Sequence, residues 1–112
     1  MLKAEDIVVL NPRRSNFQDT PNSAQEQIEW EFRHLRKASA ISFWFPEEYI
    51  CPIALYELGA YSMTDKQLFV GVHPNYKRRT DVEIQTGLAR PEIKIAYQLE
   101  SLRYQITNWS RK

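Results

Sequence analysis

The stretch ISFWFPEEYICPIALYELGAY, residues 41–61, decides how the chain folds. It opens with an apolar run bounded by Pro46, which is typical of a buried strand. A short polar loop follows, and Pro52 suits the first position of a helix, where a missing amide hydrogen costs nothing. The predicted helix carries one carboxylate, Glu57. The sequence therefore predicts a strand, a loop and a helix that presents a glutamate at the carboxyl end of a sheet.

Strands and helices alternate along the rest of the chain. Continuous apolar runs predict buried parallel strands, at residues 6–10, 40–45, 67–72 and 93–96. Helical spacing of apolar residues predicts four helices, at residues 23–38, 52–61, 80–89 and 99–109. Ser23 and Thr80 open capping-box patterns and are the predicted N-caps of the first and third helices. This order predicts an α/β fold with a parallel sheet of about four strands and helices on both faces.

Two of these helices have a well-defined apolar face. The first carries Ile28, Phe32 and Leu35 at helical spacing, and the second carries Ile53, Ala54, Leu58 and Tyr61. Both faces are predicted to pack on the sheet. Ligands of such sheets bind beyond the carboxyl ends of the strands, which here means the loops at residues 11–22, 46–51 and 73–79.

Composition narrows the class of protein. The chain has 112 residues, of which 43% are hydrophobic and 26% charged, as expected for one folded domain. The net charge of +1 argues against a nucleic-acid polymer or an anionic membrane as partner. No apolar run approaches the roughly 20 residues of a membrane span. Cys51 is the single cysteine, which rules out an internal disulfide and favours a cytoplasmic location.

Glu57 and Glu31 are the candidate catalytic carboxylates. Glu57 follows a strand and lies near the N-terminus of a helix, where the macrodipole favours its ionised form. An ionised carboxylate can act as a nucleophile. Retaining glycosyl transfer uses two carboxylates about 5 Å apart, and Glu31 is the second candidate. Periodicity alone favours the simpler interpretation that both are exposed charges on helices.

Basic and aromatic residues near the predicted ligand edge are candidate binding groups. Arg13 and Arg14 follow a strand and could hold a phosphate or a ribose through paired hydrogen bonds. Arg78 lies in a second basic cluster, at residues 73–79, although solvated surface charge explains both clusters about equally well. Trp30 could stack on a nucleobase, but half-buried packing is the more common role.

The sequence gives little support for a metal site, for a cysteine nucleophile or for three common classes of enzyme. His73 and Cys51 have no neighbours at metal-ligand spacing and no evident thiol–base pairing. The sequence lacks G-x-G-x-x-G, Walker and G-x-S-x-G motifs, which argues against a Rossmann dehydrogenase, a P-loop enzyme and an α/β-hydrolase. Neither a metal nor an organic cofactor is predicted.

Four phrases in order, VVLNPRR, EQIEWEF, PIALYELG and VGVHPNYKRRTDVEIQT, resemble the nucleoside 2-deoxyribosyltransferase-like family across residues 6–109. The resemblance implies a flavodoxin-like parallel sheet and cleavage of an N-glycosidic bond through a glutamate nucleophile. Its E-x-G motif matches Glu57-Leu58-Gly59, so Glu57 is the implied nucleophile. Glu31 matches an acidic position, an aspartate in transferase members, that orients the nucleophile or the sugar. Asn11, His73 and Asp81 lie within the matched phrases and are predicted to bind substrate.

The sequence departs from the family pattern in two places. Cys51 stands near the position where transferase members carry an aspartate that contacts the base. The family also has a strand and a helix before the strand at 6–10, where this sequence has only residues 1–5. The remaining strands could close that gap, a partner chain could fill it, or the chain could be an inactive remnant. Bare strand edges favour association, so a homo-oligomer is expected.

The sequence therefore predicts cleavage or transfer of the N-glycosidic bond of a nucleoside or a nucleoside monophosphate. An alternative of another class is a nucleotide-binding or assembly module of the same fold that has lost catalysis. A weaker alternative is cleavage of NAD⁺, which also carries an N-glycosidic bond.

Overall fold

A computed structural model describes residues 7–10 and 21–111 of the chain, with side chains described from residue 24 onward. The predictions for Asn11, Arg13 and Arg14 lie outside these residues. The described ranges form an α/β structure, as the sequence predicted. None of their helices is long and apolar enough to cross a bilayer.

Within the described residues, the sheet has three parallel strands in the spatial order β1, β2, β3. These are β1 (Ile7–Leu10), β2 (Ala40–Phe45) and β3 (Gln67–Val72). The first two pair directly, with Ile7 opposite Ala40, and β2 pairs with β3 with Ala40 opposite Gln67. β1 and β2 are therefore hydrogen-bonded neighbours, with no space left between them for the first strand of the family.

The predicted fourth strand at residues 93–96 is reduced to an isolated bridge. Ala96 lies opposite Gly71 of β3, and its amide donates to the carbonyl of Val70 at 3.0 Å. The preceding backbone makes other hydrogen bonds: the Ile93 amide donates to Arg90, and the Lys94 carbonyl accepts from the side chain of Gln105. The prediction of a strand was wrong here because these groups are satisfied outside the sheet.

Four helices occur in the described ranges. They are α1 (Pro21–Lys37), α2 (Pro52–Ser62), α3 (Arg79–Ala89) and α4 (Leu99–Ser110). The predicted start of α2 at Pro52 is confirmed. The two predicted N-caps are wrong, because α1 begins before Ser23 and α3 begins before Thr80. Arg79 instead pairs with Glu83 at 3.3 Å in the opening turn of α3.

Helices pack on both faces of the sheet, as predicted. One face, which includes Phe43 and Val70, packs against Leu58 of α2 and Val82 of α3. The opposite face, which includes Phe69, packs against Leu102 of α4. Gly71 allows this second contact, because a Cβ there would lie only 3.1 Å from Cδ2 of Leu102, and 2.5 Å from Cε3 of Trp44 in β2.

The predicted apolar faces of α1 and α2 are only partly buried. Leu35 is 2% exposed, as expected of a core residue, but Ile28 and Phe32 are each 56% exposed. Ile53 of α2 is 68% exposed. The core prediction was wrong for these three side chains because a groove separates the two helices, and all three line it.

Candidate functional site

A groove of about 1030 Å³ lies between α1 and α2. The loop that ends at Cys51 closes one part of it, and residues 64–66 before β3 close another. Its lining includes Ile28, Phe32 and Ile53, so much of its wall is apolar. A mainly apolar concavity of this size with a few polar groups is typical of a small-molecule site.

Glu31 and Glu57 both line this groove, one from each helical wall. Both side chains are partly buried, and the Oε1 atom of Glu31 is shielded from solvent. The structure therefore brings the two predicted catalytic carboxylates to one cavity. Glycosyl transfer uses two carboxylates that face the same sugar.

The start of α2 sets the position of Glu57. Cys51 is the N-cap and adopts a left-handed conformation, with φ of 57° and ψ of 57°. Its carbonyl accepts a hydrogen bond from the Leu55 amide at 3.0 Å, which closes the first turn. Glu57 follows in the second turn of α2 and lines the groove.

Tyr76 anchors the loop before α2. Its side chain is buried, its ring centroid lies 5.2 Å from that of Phe45, and its hydroxyl donates to the carbonyl of Ile50. Burial, with a smaller contribution from Cys51, raises the pKa of Tyr76 to about 12. The phenol therefore remains a hydrogen-bond donor across the neutral range and fixes the residue before the N-cap.

Cys51 lines the groove but is poorly suited to be a nucleophile. It is buried, and its Sγ donates to the carbonyl of Tyr49 at 3.7 Å. Burial raises the pKa of its thiol, and the protonated thiol is the unreactive form.

A polar cluster of Arg36, Tyr61 and Lys66 lines the groove beside Glu57. The Nζ atom of Lys66 donates to three carbonyls at the end of α1, those of Leu35, Arg36 and Ala38, at 2.6, 2.8 and 2.7 Å. These bonds satisfy backbone acceptors that a helix C-terminus leaves open. Burial lowers the pKa of Lys66, and the charge of Arg36 lowers it further.

Tyr61 lies between charges of opposite sign. Burial raises the pKa of its hydroxyl, the cation of Arg36 lowers it, and the carboxylate of Glu57 raises it. Sequence reasoning placed Tyr61 on an apolar face and did not single out Arg36 or Lys66. The four-residue spacing from Glu57 to Tyr61 was the available signal, since such pairs are neighbours on a helix.

Two predicted binding residues lie outside the groove lining. Trp30 is 49% exposed and stacks on His34 with a centroid distance of 3.7 Å. The Nε2 atom of His73 lies 3.6 Å from a carboxylate oxygen of Glu47, and its Nδ1 accepts a hydrogen bond from the Asn75 amide. The structure does not bring either residue together with Glu57.

Arg78 and Asp81 line a second, smaller cleft of about 340 Å³ between α2 and α3. Their side chains form an exposed ion pair of 3.5 Å. This cleft lies on the other side of α2 from Glu31, so these two residues form a separate group. Within the described parts of the chain, no cluster of three His, Cys, Asp or Glu side chains could hold a metal ion.

A comparison with models of known protein families identifies the family of the chain. The model of the nucleoside 2-deoxyribosyltransferase-like family matches residues 1–76 of the 112. The chain belongs to this family, as its sequence phrases predicted. The matched range includes β1 to β3 with α1 and α2, the helices that form both walls of the groove. No curated protein matches the chain.

Proposed function

We propose that the protein cleaves or transfers the N-glycosidic bond of a nucleoside or a nucleoside monophosphate, with Glu57 as nucleophile. One observation carries the proposal: Glu57 and Glu31 line a single groove from facing helices in a member of this family. The proposal includes the flavodoxin-like strand order of the family, with the single bridge at Ala96 in the place of a fourth strand at the edge of β3.

The reaction proceeds in two steps. A carboxylate oxygen of Glu57 bonds to C1′ while the bond from C1′ to the base nitrogen breaks, and the base leaves with that electron pair and takes up a proton. Water, or the nitrogen of a second base, then attacks C1′ and releases the carboxylate. Glu31 orients Glu57 or a sugar hydroxyl in both steps.

Apolar and aromatic side chains of the groove provide the surface for the base. Phe32 and Tyr56 line it from opposite helices, and aromatic rings pack well against planar bases. They are better placed than Trp30 to flank the base. Arg13 and Arg14 are the proposed phosphate ligands when the substrate carries a phosphate. Arg78, the third predicted ligand, lies in the cleft on the other side of α2 and is not proposed for this role.

Base release from a panel of substrates tests this function. The panel contains deoxynucleosides, ribonucleosides, their monophosphates and NAD⁺, and chromatography quantifies the free base. Glu57→Gln is expected to lower the rate at least about 1,000-fold, because it removes the nucleophile with little change of shape. Glu100→Gln, an exposed change in α4, is the matched control. Equal rates of base release for the wild type and Glu57→Gln would refute the proposal. Release of base from NAD⁺ alone would show that the substrate is NAD⁺ and not a nucleoside or its monophosphate.

Binding without turnover is the second candidate function, and Cys51 favours it. This residue lines the groove near the position where transferase members carry a base-contacting aspartate. The distinguishing result is a nucleotide that raises the melting temperature of the protein but is recovered unchanged. Consumption of that nucleotide would exclude the candidate.

We also propose that the chain is a cytoplasmic homo-oligomer. The exposed apolar side chains of Ile84, Leu88 and Leu99, which lie outside the groove, support association, and the single free cysteine fits a reducing compartment. Light scattering coupled to size exclusion measures the mass in solution, and a monomer at all concentrations would exclude the oligomer.

A further inference from the structure

We infer that Tyr61 is a positioning residue for Glu57, holding the carboxylate so that one of its oxygens faces the substrate. The inference rests on the proposed function, because Glu57 needs a fixed orientation only if it attacks. Neither the E-x-G motif nor the predicted pair of carboxylates includes Tyr61. It follows from the way three elements surround this ring.

The ring of Tyr61 is held from two sides. It packs against the core cluster that contains Leu58. On another side, the Nζ atom of Lys66 lies 5.5 Å from the ring centroid, a distance at which a cation is attracted to an aromatic face. Three carbonyls at the end of α1 fix that Nζ atom. The ring therefore has little freedom to leave the groove.

The fixed ring places its hydroxyl among the charged groups of the site. Tyr61 follows Glu57 by one helical turn, and helical side chains lean toward the N-terminus, which directs Tyr61 toward Glu57. Glu57 and Arg36 both interact electrostatically with the hydroxyl. Glu31 and Arg36 from α1, and Asp65 and Lys66 before β3, are the other charged groups that line the groove.

The hydroxyl is suited to donate to a carboxylate. Burial and the charge of Glu57 raise the pKa of Tyr61, outweighing the opposite effect of Arg36, so the proton stays on the oxygen at neutral pH. A donor that binds one carboxylate oxygen leaves the other oxygen available to attack C1′. Lys66 is a weaker candidate for this role because its ammonium already donates to three carbonyls.

Removing the hydroxyl alone tests the inference. Tyr61→Phe keeps the ring and its contact with Lys66, and it is expected to lower kcat by about 10- to 100-fold, the loss typical of one hydrogen bond to a charged group. KM should change less than threefold. The acidic limb of the pH profile should move to higher pH, because the carboxylate loses a donor that favours its ionised form. Tyr104→Phe, an exposed change in α4, is the matched control.

Nuclear magnetic resonance of protein labelled at the tyrosine Cζ atoms gives a readout independent of catalysis. Glu57→Gln is expected to lower the pKa of Tyr61 and leave that of Tyr104 unchanged. An unchanged titration of Tyr61 would overturn the inference whether or not base is released. If Glu57→Gln is inactive but Tyr61→Phe keeps the kcat and pH profile of the wild type, the inference fails while the proposed function stands. A wild type that releases no base refutes the proposed function, and the titration then decides whether the two groups interact.

Discussion

The two sides of α2 present two different concavities. The groove toward α1 has a volume of about 1030 Å³ and contains Glu31 and Glu57. The cleft toward α3 has a volume of about 340 Å³ and contains the ion pair of Arg78 and Asp81. Buried or partly buried donors shape the groove, whereas the charged pair of the cleft is more than half exposed on both partners.

Adjacent residues of α2 face these two different environments. Leu58 and Ser62 are buried on the cleft side of α2, where the Ser62 hydroxyl donates to the Leu58 carbonyl at 2.6 Å. Glu57 and Tyr61 each precede one of these residues and line the groove instead. Because adjacent helical residues differ by about 100° in direction, the chemistry of each side depends on the register of α2.

The largest effect on stability is expected for Lys66, which supports the groove. Lys66→Met should lower the free energy of unfolding by about 2–3 kcal/mol, because the three carbonyls at the end of α1 lose a charged donor. Urea denaturation measures the change. Lys77→Met, an exposed change on the loop before α3, is the control. Equal stabilities of the two variants would show that Lys66 does not hold α1 in place.

A somewhat smaller effect is expected for Tyr76, and it depends on pH. Tyr76→Phe should lower the free energy of unfolding by about 1–2 kcal/mol at pH 7, because the Ile50 carbonyl loses its donor.

The pH dependence follows from the raised pKa of Tyr76, about 12 in the folded state against 10 in the unfolded chain. The folded state binds this proton more tightly, so its contribution is complete below pH 10 and is lost as pH rises toward 12. Wild-type stability should therefore fall more steeply through this range than that of Tyr76→Phe. Parallel curves for the two proteins would contradict the assigned role of this phenol.

The smallest effect on stability is expected in the cleft. Arg78→Ala should change the free energy of unfolding by less than about 0.5 kcal/mol, because exposed ion pairs contribute little. Because Arg78 lies in the cleft and not in the groove, the variant should also leave KM unchanged for a nucleoside and for its monophosphate. A raised KM for the monophosphate alone would show that the cleft contributes to phosphate binding.

Local sequence patterns predicted those parts of the fold that depend on local interactions. Pro52 marked the start of α2, and β2 and β3 were predicted with the bounds that they have in the structure. The capping pattern at Thr80 failed because α3 begins one residue earlier, at Arg79, with Arg78 as its N-cap and no hydrogen bond from a capping side chain. The strand at 93–96 failed because its backbone partners come from a turn and from α4, which periodicity cannot show.

The residues of the candidate site also divide into those that the sequence identified and those that only the structure identified. Glu31 and Glu57 were selected from the sequence because the family resemblance identified them. Lys66 and Tyr76 were not, since their roles depend on contacts with Leu35 and Ile50, residues far away along the chain. The apolar residues Ile28, Phe32 and Ile53 were assigned to the core, because amphipathic spacing is the same for a helix face that packs on a sheet and for one that borders a groove.

The most direct test of the central claim is the mass of the protein quenched in acid during turnover of a nucleoside. Nucleophilic attack by Glu57 predicts a population heavier by one glycosyl group, with the added mass on the peptide that contains Glu57. The same experiment on Glu57→Gln should show no added mass. Base release by the wild type with the added mass on another residue, or with equal adduct in Glu57→Gln, would contradict the account.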